Sequence, residues 1–349
     1  MSQSATSELM RRSRLFARML DSIDRSKALI KMRLSRSLAA LLICIFSFGA
    51  SAQDESAPIF QREPRPMPAS AQIEEGLLLE TYFTSLTQGG VGLLRLSGAD
   101  IVSARAEFRH KDIPFFQVAG DAWYALIVAN VDSVPGSHQL LVHAQRESGA
   151  TTFTRRLRVM PGNFIAQNFE LTGSAASTVS QASERKAVGE IMSVLGDFIA
   201  EPQWDAEGFE LPLDSELTSP FGAFRLLNGG FETRHMGWDQ NAAEGTPIRA
   251  MAAGVVARAA NIVSDLYGVY GRFVMIDHGH NVFTNYAHLS EALVELGQRV
   301  EAGQIIGLSG NTGRSSAPHL HWEVLAHGEW VDGLTLLDLW LPAPNGSKA

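Results

Sequence analysis

Pro318-His319-Leu320-His321-Trp322-Glu323 opens a predicted β-strand, His319–Leu325, in which successive side chains point to opposite faces. His319 and His321 therefore share one face. Around this strand lie other short apolar runs: Pro247–Met251, Gly254–Asn261, Arg272–Asp277, Phe283–His288 and Gln304–Ser309. Glycine turns join them, so residues 205–340 are expected to form a compact all-β domain.

Seven of the ten histidines fall between His235 and His327. Clustering alone is weak evidence, but the arrangement is more informative. Arg234-His235-Met236-Gly237-Trp238-Asp239 supplies an H-x-x-x-D, and Tyr286-Ala287-His288-Leu289-Ser290 places another histidine at the end of an apolar strand. Two imidazoles and one carboxylate form a sensible zinc set with a fourth position open to water. Each segment taken singly is more often structural; the combination is what points to a metal.

Upstream, Val188, Ile191, Met192, Leu195, Phe198 and Ile199 recur at helical spacing. They predict a helix over 180–200 within a connector, 161–204. Before it, residues 76–160 hold strand-like runs at Leu77–Leu79, Val91–Leu96, Ala104–Phe108, Trp123–Val128, His138–His143 and Phe153–Val159. Turn formers separate them, which suggests a small immunoglobulin-like β-sandwich, although a small barrel would give the same pattern. The fold class expected for the whole chain is mainly β. Pro58, Pro64, Pro66 and Pro68 mark residues 53–75 as an extended linker.

Residues 1–52 read as an export signal. Arg33 and Arg36 precede an apolar run, Leu38–Phe48, and Ala50-Ser51-Ala52 offers a cleavage site. Met32 stands where an ordinary signal would begin and is the expected native start; a long n-region left as an uncleaved anchor is the rival. The apolar run is about half of the ~20 residues a membrane-spanning helix needs, so no stable span is expected after cleavage. The only cysteine, Cys44, lies inside that run, which leaves the mature chain without disulfides or thiolate ligands. Residues 1–52 carry nine Lys/Arg and three Asp/Glu, leaving 20 basic and 34 acidic residues, a formal charge of −14. Such a surface disfavours nucleic acid.

The chain from Ser219 to about Leu337 resembles the lysostaphin-type, or LytM-type, zinc endopeptidases that cut peptidoglycan peptides. The shared stretches include Ser219-Pro220-Phe221-Gly222, the H-x-G-x-D at His235, Gly245–Ala250, Ala253–Val256 and Ile276-Asp277-His278-Gly279. They continue through Tyr286–Ser290, Gly303–Gly307, Thr312-Gly313-Arg314-Ser315 and Pro318–His321. The β-domain, helix and exported start also look like the longer Gram-negative members, which implies a periplasmic location.

The resemblance implies that His235, Asp239 and His321 hold one zinc ion, and that His288 and His319 are the unligated catalytic pair. The chemistry fits these roles independently. Zinc with an open position lowers its water's pKa to about 7 and polarises the scissile carbonyl. One imidazole can take that proton and return it to the leaving amine, and the other, if protonated, can stabilise the oxyanion. The sequence does not assign base and oxyanion partner between them. The implied partner is peptidoglycan peptide, with D,D-crosslinks as the default; glycine bridges or a protein substrate stay open, and no protein partner is indicated.

Gln240, Asn285, Phe224 and Ala317 depart from the usual pattern without removing a ligand. His278, His280 and His327 are extra histidines with no expected role. A non-catalytic relative that binds the wall or activates an amidase typically loses ligands or catalytic histidines, whereas all five are present here. A lipoyl- or biotinyl-type carrier would need an exposed hairpin lysine, and no lysine lies between Lys186 and Lys348.

Overall fold

Val91–Ser97 and Ala122–Val128 are apolar at almost every position because both of their faces are covered. The computed structural model describes residues 66–118, 122–205, 207–260 and 268–342. The expected export signal, its cleavage site, Met32 and Cys44 lie outside these residues. The two strands sit side by side in a five-stranded sheet with Ser70–Glu74, Leu77–Thr81 and Phe116–Val118. One face, carrying Leu94, Leu96, Ala125 and Ile127, meets Phe108, Leu140, Val142 and Phe153 of a second five-stranded sheet. The other face, carrying Val91, Leu93, Leu126 and Val128, shares a core with Ile248, Val274, Tyr286 and Trp322 of the C-terminal part. Continuous apolar runs are what burial on two faces requires.

Ser70–Glu74 pairs with Leu77–Thr81, so the expected linker is already a strand before residue 75. Its prolines end at Pro68, after which nothing prevents ladder pairing.

The connecting helix spans Gln181–Val194, with a single 3-10 turn at Leu195–Asp197. Ser180 caps it by accepting from the Ser183 amide. Ala187, Ile191 and Leu195 pack on Tyr270, Phe273 and Met275. The helix is shorter than the apolar stripe predicted, because Phe198 turns extended and the Ile199 amide donates to Asp277 instead of continuing the helical ladder.

The C-terminal part is a ten-stranded sheet whose centre runs Leu217–Ser219, Trp238–Asn241, His319–Ala326, Val282–Ala292, Arg272–Asp277, Gly254–Ala260. A small three-stranded sheet, Ala166–Phe169, Phe224–Leu227 and Phe231–Arg234, brings connector residues alongside it. No helix among the described residues is long and apolar enough to cross a membrane.

Candidate metal centre

Asp239 and His321 lie directly opposite each other on neighbouring antiparallel strands. Cross-strand partners point to the same face, so register alone brings carboxylate and imidazole together. His235 follows the Phe231–Arg234 strand and is held by main-chain hydrogen bonds to Gly222 and Ala223. The chain then passes so close to the next strand that a Cβ on Gly237 would lie 2.2 Å from the Trp322 carbonyl oxygen. His235 Nε2 is 2.9 Å from His321 Nδ1 and 3.0 Å from Asp239 Oδ1, and His321 Nδ1 is 2.9 Å from the same oxygen. All three residues are buried.

The far nitrogens decide what these atoms can do. His235 Nδ1 lies 2.8 Å from the Pro220 carbonyl, which only accepts, so Nδ1 carries the hydrogen and Nε2 a lone pair. His321 Nε2 lies 3.0 Å from Glu323 Oε1 and donates to it. Glu323 also accepts from Tyr270, Trp330 and Asn285. Burial would raise this carboxyl, but His321 and these donors outweigh it and hold it below its ordinary value. In the neutral tautomers, two nitrogen lone pairs and an anionic oxygen thus converge on one point, an arrangement that repels itself unless a cation sits there. These donors suit zinc.

Charge tuning agrees. Burial drives His235 down to about 4 and keeps it neutral. Burial also opposes ionisation of Asp239, yet His235 and the Arg225 guanidinium hold its carboxyl well below the usual range. Arg225 donates to the second carboxylate oxygen, Oδ2, at 2.6 Å. For His321, burial disfavours the charged form, but Asp239 on one side and Glu323 on the other lift it to about 9. The pocket therefore favours one positive charge between its three inner atoms, a proton or a metal ion.

His288 and His319 stand beside this triangle. Strand alternation would turn His288 away from the face used by Ala287, the partner of His321. A bulge between the pairs Arg272–Leu289 and Val274–Tyr286 prevents this, and His288 adopts φ +61° within it. Its ring comes 4.8 Å from that of His319 and 5.7 Å from that of His321, centroid to centroid. His288 Nδ1 donates to the Thr312 carbonyl and His319 Nδ1 to that of Ala317, both at 2.8 Å. Each imidazole thus keeps its Nε2 lone pair free, and that of His319 lies 3.7 Å from Asp239 Oδ1. Burial, then His319 and His321, push His288 well below its ordinary value, so it is neutral. All five expected residues line one cavity of about 310 Å³.

Glu323, Arg225 and Tyr270 escaped the sequence reading. Alternation could have found Glu323, two residues beyond His321 on the same strand face. Arg225 stands one position after Phe224, one of the residues that depart from the usual pattern. Tyr270 lies outside any strand and gave no signal. His278 and His280 are buried and His327 is half-buried, and none of the three lines the cavity of the centre; His278, for example, bonds Ala253 and Thr284.

Residues 233–333 match the model of peptidase family M23. The chain is 43% identical over 100 residues to the peptidoglycan DD-endopeptidase ShyA of Vibrio cholerae, covering 29% of this chain and 22% of that protein. It is 31% identical over 188 residues to the uncharacterized lipoprotein YgeR of Escherichia coli, covering 53% and 68%. A crystal structure described as an M23 peptidase from Pseudomonas aeruginosa aligns with a TM-score of 0.53 at 27% identity, over 72% of this chain and 94% of that one. Against several curated relatives the matched stretch spans only 22% to 33% of their length.

Proposed function

The chain belongs to peptidase family M23, and from that premise we propose that it is a zinc endopeptidase that hydrolyses peptide crosslinks of peptidoglycan. The observation that carries this reading is the convergence of two imidazole nitrogens and one carboxylate oxygen within 3.0 Å of one another, beside two further imidazoles with free Nε2 atoms. His235, Asp239 and His321 would hold one zinc ion. Bound there, zinc supplies Lewis acidity, polarising the scissile carbonyl and making an attacking water more acidic.

The protein's own groups do the rest. His288 is kept neutral by burial, so its Nε2 suits the general base that takes a proton and returns it to the leaving amine. His319 is the other imidazole of the cavity, its Nε2 3.7 Å from Asp239 Oδ1, and it takes the second role, that of steadying the developing oxyanion, for which it would have to carry a hydrogen on Nε2. Arg225 fixes the second oxygen of Asp239, and Glu323 fixes the tautomer of His321. The name of the Vibrio relative supports D,D-crosslinks as the bond class and a location outside the cytoplasm, with the periplasm as our choice. We read the N-terminal pair of sheets as an immunoglobulin-like sandwich that positions the catalytic part.

The test is mass spectrometry of muropeptides released from purified sacculi. The expected result is conversion of crosslinked dimers to monomers, abolished by a chelator and restored by zinc. Undiminished release after complete metal removal would overturn the mechanism.

A further inference from the structure

The loop that anchors both unligated histidines also carries an arginine. Thr312 accepts from His288 and Ala317 from His319, and Arg314 lies between them, its amide bonded to Val269. The Arg314 side chain is only 10% exposed and lines the same cavity as the metal centre. Its Nη2 ion-pairs with Oε2 of Glu184, from the first turn of the connecting helix. The other oxygen of Glu184 accepts from the Thr233 hydroxyl at 3.0 Å, on the strand just before His235. Arg314 Nη1 is buried and has no hydrogen-bond partner among the described residues.

A guanidinium offers a fork of donors that fits a carboxylate through two parallel bonds. Here one tine is used and the other is idle in a buried setting. Glu184 reaches across the cavity from a separate element and sets a carboxylate between Arg314 and Thr233. It makes the contacts that a carboxylate on a bound peptide would make, but fewer than the site can provide. Arg95 Nε, Arg109 Nη1 and Arg155 Nη1 are likewise buried without a hydrogen-bond partner among the described residues, but of these arginines only Arg314 lines the cavity of the metal centre.

We propose that Arg314 and Thr233 form a carboxylate-binding subsite beside the metal centre, which Glu184 fills as an internal stand-in until a free carboxylate of the peptide substrate replaces it. This rests on the peptide-hydrolase reading above and adds the substrate class: peptides bearing a free carboxylate near the scissile bond. The carboxylate could be a chain end or a side chain, and both sources offer the same chemistry to Arg314.

Calorimetric titration of the full zinc-loaded protein tests this without requiring turnover. The probes are N-acetyl-D-alanyl-D-alanine, its C-terminal amide, and an N-acetyl-glutamyl peptide amide whose only carboxylate is on the side chain. Glu184→Gln should bind one or both acids about tenfold more tightly than the wild type, with no change for the neutral amide. Which acid responds identifies the source. Adding Arg314→Gln should erase the gain, which separates this subsite from direct capture by zinc. Thr233→Val in the wild-type background should weaken acid binding alone, and provides a second route if Glu184→Gln does not fold. Equal affinities of Glu184→Gln for acids and amide, or a gain that survives Arg314→Gln, would overturn the proposal. Acid-selective binding without any crosslink cleavage would instead overturn the endopeptidase reading and leave the subsite standing.

Discussion

Glu323 accepts four hydrogen bonds while almost fully buried, and the one from His321 determines which nitrogen that imidazole turns toward Asp239. Glu323→Gln can keep the shape but replaces one acceptor oxygen with an amide that donates. Losing such a partner typically weakens metal affinity by roughly 10–100-fold, and competition with a fluorescent chelator should show a drop of that order. An unchanged zinc affinity would mean that His321 is oriented by the strand alone. His235→Ala should lose zinc and activity together. His288→Ala should retain about one zinc by atomic absorption and lose roughly 10²–10⁴ in rate. Loss of metal in the second variant would move His288 into the ligand set. At this scale the residue types were readable, because His235, Asp239, His288, His319 and His321 stand in motifs with recognisable spacing. Tyr270 was not, because only the folded sheet carries it to Glu323.

At the scale of elements, local periodicity carried most strands and missed what depends on register. The runs at Val91–Ser97, Arg272–Asp277 and His319–Ala326 follow from alternation or continuous apolar composition. The bulge that redirects His288 has no such signature: it arises from how Val282–Ala292 pairs with Arg272–Asp277, and a histidine gives no hint of φ +61°. Likewise, the apolar stripe of the connecting helix was visible but its end was not, because the Asp277 carboxylate that takes the Ile199 amide comes from a distant strand. The helix is held mainly by Ile191, which is 0% exposed against the core around Tyr270 and Phe273. Ile191→Ala should therefore cost about 2–5 kcal/mol in chemical denaturation, the usual range for a buried large-to-small change. Zinc affinity of the folded variant should stay unchanged. A cost below about 0.5 kcal/mol would show that the helix contributes little to the core.

For the whole molecule, one core joins the N-terminal sheets to the C-terminal part, which also encloses histidines outside the metal-centre cavity. His278 packs against the edge of Phe209, with Nδ1 bonded to the Ala253 carbonyl and Nε2 2.7 Å from the Thr284 hydroxyl. Burial lowers it from 6.5 to about 4. His280 falls to about 3 and His327 to about 4, again chiefly through burial. The unfolded chain binds protons at these imidazoles as pH drops through 6.5, whereas the folded chain resists until about 4 at His278 and His327 and about 3 at His280. Their contribution to stability is thus complete above pH 6.5 and is lost progressively as pH falls toward the folded values. For His278 alone the loss is about 3 kcal/mol between pH 6.5 and pH 4, because a tenfold difference in proton affinity is worth about 1.4 kcal/mol. The metal centre complicates any single titration, since His321 is shifted upward and Asp239 downward. Comparing the wild type with His278→Gln cancels those contributions, because both chains keep the centre. Urea denaturation at pH 7 and at pH 4.5 should show the variant losing less stability between the two conditions, by about 2–3 kcal/mol. Equal losses in the two proteins would mean that His278 is already protonated in the folded chain, and that its neutral hydrogen-bonded setting does not shape the acid limit of this fold.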